Sequence, residues 1–302
     1  DFKKLGTPKL FFGITAGNMD SMVNHYTATK RIRKDDAYTP GNTAGFRPDH
    51  ATVVYSQIVR KLYPNTPIIL GGAEASMRRL THYDYWDDQL KPSILVDSKA
   101  DLLVYGMGEK PIIEICKAFQ SSDPLEQCKK INQVAFLCDH PESYMDPDEQ
   151  VITLNSYEKE RSSKKVYAKN FVTFEKETNK RVQKKMIQKY DHQTLIMNPP
   201  FPPLNESEMD QFALFDKMMN APHPKYAKRG DIPAFEMIKN SITIHRGCFG
   251  GCSFCAIAAH QGKFISSRSE KNILEEVKDL TNRNYFKGYI SDLGGPSANM
   301  YK

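Results

Sequence analysis

Short apolar runs that stop at glycine, with helical patterns between them, constrain this chain more than any other feature. Residues 9–17 (KLFFGITAG), 67–75 (PIILGGAEA) and 100–110 (ADLLVYGMGEK) each run apolar and break at glycine, while TVVYSQIVRKLYP and KPIIEICKAFQ space their apolar residues three and four apart. Such alternation predicts a parallel sheet, because parallel neighbours need a long crossover and a helix supplies it. QVAFLCD, at 133–139, is a candidate to extend that sheet. The expected fold class is α/β, with a Rossmann-like parallel-sheet domain over residues 1–150.

Residues 151–240 read as a connector of helices and a hairpin, outside any core. A charged helical stretch comes first, then KKMIQKYDHQTLIMN as a hairpin, then Pro-rich chain before a helix entered at Asn205, where Glu208 completes a capping box. From Ser241 the alternation resumes. SITIH is a short strand and a cysteine-bearing loop follows it. Ser267-Arg268-Ser269-Glu270 offers a capping box, Ile273, Leu274, Val277 and Leu280 recur at helical spacing, and GYISDLGGP gives a second strand. This βαβ unit, over 241–302, places the loop after each strand at the same sheet edge, where ligands of parallel folds bind.

The 302 residues allow two domains, and 40% hydrophobic with 26% charged residues suits a globular chain. No apolar run approaches the roughly 20 residues that span a bilayer, so no membrane association is expected. Six cysteines, three scattered and three clustered, do not form a disulfide framework; with no secretory leader, a cytoplasmic protein is expected. The chain opens at Asp1 and stops just after the second strand, so both ends read as cut. The net charge of +6 is regional, for residues 159–189 hold eleven Lys and Arg against three Glu. That stretch is either a solvated surface or a patch for nucleic acid.

HRGCFGGCSFCAIAAHQGK, from His245 to Lys263, carries Cys248, Cys252 and Cys255. Thiolates select soft centres, which leaves zinc or an iron–sulfur cluster, with a fortuitous group of inert thiols as the third reading. Zinc in a structural site takes four protein ligands, the fourth here being His245 or His260. A cubane instead needs a loop that wraps separate corners. Gly247, Gly250 and Gly251 permit such wrapping through positive φ and leave no Cβ between chain and cluster. One iron then lacks a protein ligand and is open to a substrate or cofactor.

Cys248-x3-Cys252-x2-Cys255, with Phe254 before the last cysteine, resembles the signature of radical S-adenosylmethionine (SAM) enzymes. The wider run to Val277, ISDLGGPSANMY, NPPFPPL, PHPKYAKRGDIPAFEMIK and the amino-terminal FFGITAGNMDSMVNHYTATK and LGGAEASMRRLTHYDYWDD resemble the YgiQ-like branch of that superfamily, over nearly the whole chain. The resemblance implies that Cys248, Cys252 and Cys255 ligate a [4Fe–4S] cluster whose open iron chelates SAM. An electron from a donor such as a flavodoxin or ferredoxin would then cleave SAM to a 5′-deoxyadenosyl radical that acts on an unassigned substrate. It places Phe254 near the adenine and aligns Gly294, Gly295 and Pro296 with the segment contacting the SAM amino group, Pro296 standing where many relatives carry Glu. It also makes 241–302 the start of a truncated partial TIM-type barrel, so the chain alone is not expected to perform radical chemistry. The competing reading is a zinc-stabilised nucleic-acid-binding protein using the 159–189 stretch.

In the amino-terminal half, Gly17-Asn18, Gly71-Gly72 and Gly106-Met107-Gly108-Glu109 should line one sheet edge, as a cofactor crevice or as tight turns alone. The Asp-x-His-x-x-Gly signature is absent, so cobalamin is not inferred. His82, Tyr83, Asp84, Tyr85, Trp86, Asp87 and Asp88, with Asp20, His25 and Tyr26, suit a recognition surface, a metal or proton site, or an aromatic-anchored loop. Cys116, Cys128 and Cys138 read as ordinary buried thiols.

Overall fold

The apolar runs become strands of three to six residues in the computed structural model, which describes residues 2–218, 224–295 and 300–302. Two units emerge: Asp1–Val23 with Pro48–Pro202, and Asn24–Arg47 with Pro203–Lys302. The strands of the first unit are β1 (Phe12–Ile14), β2 (Ile68–Leu70), β3 (His82–Asp84), β4 (Gln89–Lys91), β5 (Leu102–Val104), β6 (Val134–Cys138), β7 (Val151–Thr153), β8 (Lys185–Tyr190) and β9 (Gln193–Met197). β3 and β4 pair as a separate hairpin, and the rest form one sheet in the order β1-β2-β5-β6-β9-β8-β7.

This sheet is mixed, not the parallel sheet expected. β1, β2 and β5 run parallel, as does β7 with β8, but β5–β6, β6–β9 and β8–β9 are antiparallel. Between β5 and β6 lie two helices, Glu109–Ala118 and Pro124–Cys128, and β6 enters antiparallel to β5.

Both faces of the sheet are covered, and successive residues serve opposite faces. Ile68, Leu70, Leu103, Met186, Leu195 and Met197 pack with Val59, Ala75, Ile94 and Leu95 on one side. Ile69, Leu102, Val104, Phe136 and Ile196 pack with Ile115 and Cys128 on the other. The stretch expected as a connector is therefore divided. Its first part belongs to this sheet, where Met186, Leu195 and Ile196 are fully buried, and 203–240 falls in the second unit. Buried Glu160 ties that first part inward, accepting hydrogen bonds of 2.7 Å from Asn170 Nδ2 and from Gln188 Nε2 in β8. Most basic side chains of 159–189 are exposed, and Lys180 and Lys185 pair with Glu177 and Glu149 at 2.6 Å. Cys128 and Cys138 are buried and burial pushes each thiol up to about 11; Cys116, contrary to expectation, is exposed.

The helix Ala51–Leu62 has no local side-chain cap, because His50 occupies its N-cap position without capping it. Buried Glu74 substitutes from elsewhere in the chain: Oε1 accepts from the Thr52 amide at 2.9 Å and Oε2 from the Ser21 amide at 2.8 Å. The Ala51 amide is satisfied by Ser21 Oγ at 3.1 Å.

In the second unit, β10 (Ser241–Thr243), β11 (His245–Arg246) and β12 (Ser266–Ser267) precede the helix Glu270–Thr281 and β13 (Asp292–Gly294) follows it. Asn205 and Glu208 form the expected capping box reciprocally, each amide donating to the other side chain at 2.9 Å. At the later helix Ser269, not Ser267, is the N-cap and accepts from the Asn272 amide at 3.1 Å, since Ser267 is taken up in β12. Ile242, Ile273 and Leu280 form the core, with Val277 packed against it; Leu274 stays 59% exposed. Among the described residues no helix is long and apolar enough to cross a membrane.

Two outcomes test this packing. Glu74→Ala strands two amides in the interior and should lower stability by about 3 kcal/mol, read as a shift of the urea midpoint at constant slope. Burial, and secondarily Arg78, push the His82 imidazole down to about 4. Its folded value lies below the unfolded one, so the unfolded chain takes up a proton first and stability is lost as pH falls from about 6.5 to 4, by about 3 kcal/mol. His82→Gln should flatten the urea midpoint across that window.

Candidate functional site

β10 and β13 pair in parallel, Ile242 opposite Leu293 and Thr243 opposite Gly294. Parallel strands end at the same edge, so the start of the cysteine loop and Gly294-Gly295 lie together, as the βαβ reading predicts. The Ile244 amide extends the pairing by donating to the Gly294 carbonyl at 2.8 Å. The chain then turns antiparallel, with His245 of β11 opposite Ser267 of β12.

From β11 the loop runs to the short helix Ile257–Gln261. Gly247 has φ 87°, and a Cβ there would collide with the Phe264 carbonyl, so only glycine fits. The loop is tied to the end of that helix, the Gly247 amide donating to Gln261 Oε1 at 3.1 Å and the Cys248 amide to the Gly262 carbonyl at 3.0 Å. Gly251 also has positive φ, while Gly250 serves differently. A Cβ on Gly250 would stand 3.3 Å from Cys248 Sγ and 3.7 Å from Cys252 Sγ, so both sulfurs face the space that residue leaves clear. Its amide donates to Cys248 Sγ at 3.4 Å. Cys248 is buried, Cys255 half-buried and Cys252 exposed, and the Cys255 amide closes a turn on the Cys252 carbonyl at 3.1 Å.

Among the described residues, no three of the donors Cys248, Cys252, Cys255, His245 and His260 gather within 4.8 Å of one another. His245 is fully buried and neither ring nitrogen has a hydrogen-bond partner. Burial lowers its pKa, which keeps the ring neutral. Gly295 lies against that ring, and a Cβ there would collide with it. Here is a role for Gly295 that sequence reading missed, since nothing local couples a strand residue to a glycine fifty positions later. Phe254 is 91% exposed and Phe249, not singled out beforehand, is 66% exposed. Pro296 lies outside the described residues.

The amino-terminal candidates separate. Asp20 accepts from the Met22 amide at 2.9 Å and pairs with Arg78, a local structural duty. His82 is held by the Leu80 carbonyl at 3.2 Å, and Tyr83 hydrogen-bonds Asp88. At the β1–β2–β5 edge, Gly72 packs where a Cβ would meet Thr15 Oγ1.

The sequence model of the Radical SAM N-terminal family matches residues 1–241. The chain belongs to this family. Its relatives include UPF0313 proteins of Bacteroides thetaiotaomicron, 52% identical over 100% of this chain and 50% of the relative, and of Porphyromonas gingivalis, 51% identical over 100% and 47%. This radical SAM family chain thus spans about half the length of the curated relatives it matches. Among solved structures it is similar to the radical SAM methyltransferase TsrM of Kitasatospora setae, with a TM-score of 0.39 and 13% identity over 87% of this chain and 35% of that one.

The contact between Gly295 and His245 is directly testable. Gly295→Ala should cost about 1–3 kcal/mol through overpacking, and His245→Ala in the same chain should recover part of that loss, read by urea denaturation as a double-mutant cycle.

Proposed function

We propose that Cys248, Cys252 and Cys255 hold a [4Fe–4S] cluster with one iron left for SAM, and that the longer protein containing this chain is a radical SAM enzyme. The spacing Cys248-x3-Cys252-x2-Cys255 on a loop with glycine at 247, 250 and 251 carries this reading, because such a loop can wrap separate corners of a cubane. When bound, such a cluster supplies one electron to SAM and so starts radical chemistry.

The chain's own residues have defined parts in this proposal. Gly250 leaves the space before two sulfurs open, and its amide donates to the Cys248 sulfur. Exposed Phe254 offers a ring face to the adenine. The backbone at Gly294 and Gly295 is left to meet the SAM amino group, with the Gly294 carbonyl still owning one free lone pair beside its bond from Ile244. The ends of β10 and β13 form the start of a partial barrel. Leu274 and Leu293 remain exposed, whereas parallel sheets are covered on both faces, and further βα units of the longer protein would cover them.

Anaerobic reconstitution of the 302-residue chain should yield about four irons and four sulfides, lost on Cys252→Ala. One tightly bound zinc without sulfide overturns the assignment and favours the zinc-stabilised alternative, for which steep salt-dependent RNA binding through residues 159–189 is the companion measurement. The full-length protein, given SAM and a reduced flavodoxin or ferredoxin, should release 5′-deoxyadenosine, and the 302-residue chain should not.

A further inference from the structure

His50, Asp84 and Asp87 bring one imidazole nitrogen and two carboxylate oxygens within 4.8 Å of one another in the first unit. Among the described residues no other set of three His, Cys, Asp or Glu side chains does so. Asp84 is 3% exposed, and its two oxygens have different duties. Oδ1 accepts from the amides of Trp86 at 2.9 Å and Asp87 at 3.0 Å, which locks the carboxylate in the turn between β3 and β4. Oδ2 is buried, has no hydrogen-bond partner and points at His50 Nε2, 3.7 Å away. His50 stands at the head of the helix Ala51–Leu62 but does not cap it, so its ring is committed to this cluster.

Lys91 is the ammonium that both carboxylates share, and the Arg78 guanidinium also acts on Asp84. Lys91 pairs with Asp87 but stays 3.8 Å from Asp84 Oδ2, too far for a hydrogen bond. A buried carboxylate oxygen without a donor is costly, and a metal ion satisfies it where the lysine does not.

We propose that His50, Asp84 and Asp87 form a site for a first-row divalent cation, with Lys91 occupying the cation's place until the metal displaces it. One imidazole and two carboxylates suit Mn²⁺, Fe²⁺ or Zn²⁺, in contrast to the thiolates of Cys248, Cys252 and Cys255. Asp87 is 47% exposed at its side chain, so the open coordination positions face water or an oxygen ligand.

Mn²⁺ is the discriminating probe, because thiolates bind it poorly. Titration of the 302-residue chain, with free Mn²⁺ followed by electron paramagnetic resonance, should show one bound ion. Asp84→Asn keeps the acceptor for the Trp86 and Asp87 amides and so the fold of the turn, yet should weaken binding at least about tenfold. His50→Gln should do the same. Lys91→Gln should tighten binding, and Cys252→Ala should leave it unchanged. The proposal is overturned if neither the wild type nor Lys91→Gln depletes free Mn²⁺ at millimolar concentration, or if Asp84→Asn and His50→Gln bind as well as the wild type.

Discussion

The parallel pairing of β10 with β13 is the constraint on which the cysteine loop depends. Two three-residue strands, joined through the helix Glu270–Thr281, bring residues fifty positions apart to one edge. Arg268 braces this unit from within: it is buried, donates to the Thr243 carbonyl at 2.7 Å at the end of β10, and pairs with Glu276 of the following helix at 2.5 Å. The His245 ring then fills the space beneath Gly295, so the loop and the end of β13 are held in register by one side chain and one absent Cβ. Without that register the three cysteines would be a local motif with nothing opposite them.

Buried polar groups play the equivalent part in the first unit. Glu74 caps from a distance, and the network of Glu160, Asn170 and Gln188 binds two helices to β8. Arg79 lies between Tyr105 and Phe174, its guanidinium 5.0 and 4.9 Å from the ring centres. Each of these charges is enclosed by partners from separate parts of the chain, which makes them matching elements between layers that apolar packing alone would leave free to slide. The cluster at His50 and Asp84 differs in kind, because its inner oxygen is left without a donor.

Much of the fold was legible where the pattern was local. β1, β2 and β5, the flanking helices, the Asn205–Glu208 box and the βαβ unit around the cysteines all follow from apolar spacing and glycine position. The direction of β6 was not legible, because the short second helix, Pro124–Cys128, leaves little trace in periodicity and an apolar run reads the same in either direction. The hairpin of β8 and β9 could be read, but not its place in the sheet, since its alternating charged and apolar residues look like a solvated ribbon until Phe136 and Ile196 meet.

The cysteine spacing, its glycines and Phe254 set from sequence alone the expectation that residues 248–255 form a ligand loop of radical SAM type. What only the tertiary structure decided is that Gly250 lies against the Cys248 and Cys252 sulfurs, which ring supports Gly295, and that His50 joins Asp84 and Asp87. The division has a physical cause. Spacing along a loop and backbone freedom are properties of consecutive residues, whereas the burial of an unpaired nitrogen or oxygen depends on which distant segments close over it.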